Sequence, residues 1–178
     1  DEGAEFIEIR ETSGSGVAVP LGGGTLSTWL LAIDGDAGSA GVVNKAIDLS
    51  AYSTGTNGFL LLRDAATALS PAPDAATSVA VLAAPDPLFD ADLDDGSQTY
   101  VLLVCNSALG CPGFVAGVDF DTDNDGVLDL ALPAGVTVMD AVGYRNTPAP
   151  VKHSYASQFI GSGVDFAYTG FSPHAIFR

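Results

Sequence analysis

Glu5-Phe-Ile-Glu-Ile-Arg10 sets Ile7 and Ile9 on one side of an extended backbone and Phe6, Glu8 and Arg10 on the other. That alternation belongs to a strand with one buried face. Working outward, extended character recurs at residues 28–34, 41–49, 58–63, 77–83, 99–105, 127–130, 136–144 and 164–168. Between these runs lie turn clusters: Gly22-Gly-Gly24, Asp34-Gly-Asp36, Thr56-Asn-Gly58, Asp95-Gly96 and Asp125-Gly126. Helix signals are weak, because the chain carries 21 glycines and 10 prolines and few windows repeat apolar residues at helical spacing. Short strands at regular spacing, separated by Gly and Asp turns, predict an all-β sandwich or barrel.

Two strands, Phe59-Leu-Leu-Leu62 and Tyr100-Val-Leu-Leu-Val104, are apolar on both sides. An antiparallel sandwich normally leaves one face of each strand polar, so these are either central strands roofed by loops or strands covered by another subunit. With only 16% charged residues and a mean hydropathy of +0.32, association with copies of itself carries weight. Residues 65–87, rich in Ala, Pro and Asp, read as a long surface excursion around one short strand. The 178 residues suffice for one domain, with a core at about residues 5–144 and residues 145–178 as a C-terminal extension packing on it or between domains.

The 22 acidic and 6 basic residues leave a net charge of −16. Phosphate binding needs clustered cations, so nucleic acid is not an expected partner, and an anionic membrane surface is disfavoured for the same reason. No run approaches the roughly 20 apolar residues of a spanning helix, so membrane insertion is not expected. The acidic balance suits calcium-rich or saline surroundings. The chain begins at Asp1 without a methionine or an apolar leader, as a mature secreted or surface protein does after signal-peptide removal, or as a trimmed chain would. Cys105 and Cys111 flank a small loop that can bring them within disulfide range, and an extracellular setting favours that bond over two free thiols.

Asp121-Thr-Asp-Asn-Asp-Gly-Val-Leu-Asp129 places carboxylates at its first, third, fifth and ninth positions and glycine at its sixth. Calcium takes about six to eight oxygens, and alternating Asp residues in a tight turn can direct several at one centre. Asp121, Asp123, Asp125 and Asp129 are therefore the predicted ligands of a Ca2+ ion, with the Val127 carbonyl supplying another oxygen after the bend at Gly126. An EF-hand would carry Glu at the twelfth position, where this chain has Leu132, and would be flanked by helices, where strands are predicted here. The missing ligand is expected from Asp119 or Asp140. A solvated Asp/Asn/Gly turn is the competing reading, but four converging carboxylates repel one another without a cation. Asp90-Ala-Asp-Leu-Asp-Asp-Gly96 is a weaker candidate, its glycine one position late, and Asp34, Asp36 and Asp86 read as turn residues.

No catalytic residue is predicted. The chain lacks Gly-x-Ser-x-Gly, its only histidines, His153 and His174, stand in no dyad or zinc spacing, and its glycine runs lack the lysine of a phosphate loop. Trp29 and the five tyrosines could form a sugar platform, but such aromatics are more often core.

In order along the chain, Phe6-Ile-Glu-Ile9, Trp29-Leu-Leu-Ala-Ile-Asp-Gly-Asp36, Ala46-Ile-Asp-Leu-Ser50, Thr56-Asn-Gly-Phe-Leu-Leu-Leu62, Gly96-Ser-Gln-Thr-Tyr-Val-Leu-Leu-Val104, the acidic loop and Met139-Asp-Ala-Val-Gly-Tyr144 resemble the bacterial lamin-tail-like domains. The resemblance covers roughly residues 5–144. It implies an immunoglobulin-like antiparallel β-sandwich of secreted and surface proteins, a binding or structural module without catalytic residues. The Ala/Pro/Asp excursion, the cysteine pair and the tail depart from that pattern. The leading expectation is an extracellular calcium-stabilised module making contacts with copies of itself or with other surface proteins, as in a filament or surface layer. The alternative is a calcium-dependent extracellular hydrolase, with its catalytic metal on Asp121, Asp123, Asp125 and Asp129, or a glycan-binding accessory module.

Overall fold

The computed structural model describes residues 6–64, 69–82, 96–146 and 152–168. The opening alternation is strand β1, Phe6–Arg10, in which Ile9 is buried and Phe6, Glu8 and Arg10 are exposed. Its antiparallel partner is β5, Phe59–Asp64, with Ile7 opposite Leu62 and Ile9 opposite Leu60. Strand β6, Ser78–Leu82, runs parallel to β5 on the far side.

The larger sheet is built on β3, Leu26–Asp34, paired antiparallel with β7, Gln98–Asn106. On the other side of β3 lie the two-residue β2, Gly22–Gly23, and β4, Val43–Asp48. Beyond β7 follow β8, Val136–Arg145, antiparallel, and β9, Val164–Ala167, parallel to β8. The two sheets are therefore mixed, a correction to the antiparallel expectation. Turn clusters reveal hairpins, whereas parallel neighbours need longer crossovers, and both parallel pairs are joined by long connections. The second connection contains α1, Ala156–Phe159, which the sequence reading missed along with β2.

The sheets face one another through Ile9, Leu60, Leu62, Ala80 and Leu82 on one side and Leu30, Ile47 and the partly buried Tyr100 and Leu102 on the other. A second apolar cluster fills the opposite face of the large sheet, where Leu31, Ile33, Val101, Leu103 and Ala141 meet Phe114, Phe120 and Tyr155. Thus β7 is apolar on both sides because one side meets a sheet and the other is roofed by the chain's own 107–135 and 152–160 segments. Each fully buried leucine here, such as Leu31, Leu60 or Leu103, contributes about 1.5–3 kcal/mol of burial.

A disulfide joins Cys105, at the end of β7, to Cys111, with Cα atoms 5.5 Å apart. It closes the small loop around the 3-10 turn Ser107–Leu109, whose first turn is capped by the Asn106 side chain accepting from the Ala108 N–H. The expected strand at residues 127–130 is absent. The Asp129 and Leu130 N–H groups both donate to the Phe120 carbonyl, and the Leu128 N–H donates to Gln158 Oε1, so the segment closes a loop.

Candidate metal centre

The acidic loop lies inside the 107–135 connection. Its incoming end docks on the turn leading into β4: the Phe120 N–H donates to the Gly41 carbonyl at 2.9 Å, and Val42 and Asp119 form an isolated bridge. Gly41 has φ +84°, and a Cβ there would fall 2.4 Å from the Asp121 backbone nitrogen. At the exit, the Asp129 N–H reaches the Phe120 carbonyl at 2.7 Å and closes the neck. Phe120 is buried against Phe159 of α1, the rings meeting edge to face at 5.6 Å. Gln158 clamps the far side, donating from Nε2 to the Gly126 carbonyl at 2.8 Å while accepting from the Leu128 N–H at 3.0 Å.

These contacts bring Asp121, Asp123 and Asp129 together, with carboxylate oxygens all within 4.8 Å of one another. Asp121 is fully buried, while Asp123 and Asp129 are exposed. The Asp121 carboxylate accepts from the Asp125 N–H at 3.1 Å, the Gly126 N–H at 2.8 Å and the Tyr155 hydroxyl at 2.8 Å. Thr122 donates to Asp129 from its N–H at 2.8 Å and its hydroxyl at 2.6 Å, and the Asp125 N–H donates to Asp123 at 3.2 Å. A carboxylate offers about four acceptor sites, so each of the three keeps capacity for a further partner. Asn124, at φ 58°, also encloses a side-chain oxygen without a hydrogen-bond partner among the described residues. The donor set is all oxygen and mostly anionic, which fits a hard divalent cation.

The electrostatics report the crowding. Asp123 is held above the ordinary carboxylate value by lost hydration and by the charges of Asp125, Asp129 and Asp121. Asp129 is held below it by the Thr122 hydroxyl and N–H. The Tyr155 hydroxyl is pushed up by burial and by its bond to Asp121, so it stays a proton donor to that carboxylate.

The other predicted ligands stand differently. Asp119, Asp125 and Asp140 do not join the three-carboxylate group. Asp119 Oδ1 accepts from the Asp121 N–H, Asp125 Oδ1 from the Val127 N–H and Asp140 Oδ1 from the Ala141 N–H. The loop is not flanked by strands, as had been expected: β7 and β8 lie well outside its neck. Asp90, Asp92, Asp94, Asp86 and His174 lie outside the described residues. Asp34, expected in a turn, is the buried last residue of β3, accepting from the Asp36 N–H and the Ser39 hydroxyl. Trp29 is half buried against Phe114 and donates to Ser27, a packing role.

Tyr155, Gln158 and Thr122 were not legible as site residues. Tyr155 reaches Asp121 because residues 152–155 are pinned across the sheet end: Lys152 pairs with Asp36, the His153 N–H donates to the Gly35 carbonyl, and the Tyr155 N–H donates to Thr99 Oγ1. Comparison of the chain with protein-family models, with curated proteins and with solved structures returned no match.

Proposed function

We propose that this chain is a non-catalytic, calcium-stabilised module of a secreted or cell-surface protein. The observation that carries the reading is the buried Asp121, held by Tyr155 and two backbone N–H groups and facing Asp123 and Asp129. Bound there, calcium would neutralise the mutual repulsion of the three carboxylates and lock the roof over the large sheet, a role in architecture. The Cys105–Cys111 disulfide supports an oxidising compartment. Two sheets packed face to face are compatible with an immunoglobulin-like, lamin-tail-like domain, although the parallel pairs β5–β6 and β8–β9 depart from the antiparallel form.

The module makes protein contacts, with copies of itself as the leading partner. Phe6, Val79 and Val81 are exposed on the small sheet, and β1 is an edge strand among the described residues, so it can extend a neighbour's sheet. Light scattering and electron microscopy with and without calcium test this, and a protein that stays monomeric at high concentration contradicts it. Calcium-dependent stability tests the metal separately.

A further inference from the structure

Against the Asp125–Gly126 turn of the acidic loop, the structure holds a cavity of about 390 Å3. Its walls come from Arg145 at the end of β8, Asp165 of β9, His153 and Ser154, and the Asp125 and Gly126 backbone turn. Gly126 has φ +90°, and a Cβ there would fall 2.3 Å from His153 Nδ1, so glycine is what lets the loop seat against the imidazole.

The hydrogen-bond capacity of the wall is unevenly used. Asp165 is mostly committed: it accepts from the Ala156 N–H, the Ser157 N–H and the Ser157 hydroxyl, three of about four acceptor sites. The nitrogen donors opposite are not. His153 is only 6% exposed and its ring donates to and accepts from nothing among the described residues. Arg145 forms no side-chain hydrogen bond or ion pair among them, and its Nε is buried without a partner. Buried donors without partners are rare and call for an explanation. A guanidinium fork beside an imidazole matches a carboxylate, which accepts in the plane of the fork. The rest of the lining is polar, and Asp125 keeps one carboxylate oxygen after accepting from the Val127 N–H, an acceptor for ligand hydroxyls. The volume is at the small end for ligand pockets.

We propose that this cavity binds a polar carboxylate of monosaccharide size, of the hexuronate class, with its carboxylate on Arg145 and His153 and its hydroxyls toward Asp125. None of Asp121, Asp123 and Asp129 lines the cavity, although its Asp125–Gly126 wall is the turn whose N–H groups hold Asp121.

The test is a backbone amide chemical-shift titration of the full chain with galacturonate, galactose and acetate, in calcium and again in chelator. Galacturonate should give saturable shifts centred on Arg145, Ser154, Gly126 and Gln158 at millimolar concentrations, with galactose and acetate at least about tenfold weaker, as expected for loss of one charge-assisted pair or of the hydroxyl contacts. Arg145→Gln should weaken galacturonate by a similar factor; should that variant fail to fold, the wild-type shift map alone decides. No saturable shift at these amides in either condition, or equal affinity for galactose or for acetate, overturns the proposal.

Discussion

The Tyr155 hydroxyl donates to Asp121 Oδ2 at 2.8 Å, and both side chains are fully buried. One hydrogen bond thus joins the second apolar cluster, where Tyr155 packs, to the carboxylate at the base of the acidic loop. A hydrogen bond to a charged group is worth about 1.5–3 kcal/mol. Tyr155→Phe should therefore lower Tm by roughly 3–12 °C for a domain of this size. Asp121 keeps its bonds from the Asp125 and Gly126 N–H groups, so the variant should still bind calcium, more weakly. Thermal melts and a calcium titration of the variant check both statements.

The two glycines of the loop's setting should differ in tolerance. A Cβ on Gly41 meets the Asp121 backbone, which cannot step aside, whereas one on Gly126 meets the end of the His153 side chain. Both have positive φ and each loses about 1 kcal/mol or more on conformational grounds alone. Gly41→Ala should be the more destabilising in denaturant unfolding; equal effects would contradict the packing described.

Reducing the Cys105–Cys111 bond releases a short loop, so the loss should be modest, on the order of 2 kcal/mol. Unfolding in urea with and without reductant measures it. A much larger loss would mean that the disulfide holds the 107–135 roof as a whole.

Acid should act on two carboxylates in opposite ways. Asp165 is half buried, which raises its pKa, but bonds from Ser157 and Ala156 outweigh that and hold it below the ordinary value. Its stabilisation is present above the unfolded value of about 3.9 and is lost as pH falls through the lower folded value. Asp165→Asn should flatten the fall of Tm in that range. Asp123 is raised, so protons begin to compete with a cation there at higher pH than at an ordinary aspartate. Calcium affinity measured across the acid range should begin to drop above that ordinary value; a drop confined below it would contradict the crowding.

The strands were legible wherever one face repeats, as Ile7 and Ile9 show in β1. Val127 and Leu128 misled because apolar neighbours within an acidic turn imitate a short strand, while the Val127, Leu128 and Asp129 N–H groups go to Asp125, Gln158 and Phe120. The spacing of Asp121, Asp123 and Asp129 was readable locally because the loop itself brings them together. Tyr155 was not, since its contact with Asp121 spans 34 residues and depends on how residues 152–155 cross the sheet end. The parallel placement of β6 and β9 was hidden for a similar reason: alternation fixes which face a strand buries but not the direction of its neighbour.

The most direct test of the metal reading is Tm in calcium and in chelator, for the wild type and for Asp123→Asn. At calcium concentrations about a hundredfold above Kd, binding adds about 2.7 kcal/mol, a rise of roughly 5–10 °C. In Asp123→Asn the rise should largely vanish, while in chelator the variant should melt no lower than the wild type, because it sheds a crowded charge. A wild-type Tm indifferent to calcium, or a variant with an undiminished calcium response, would contradict the account.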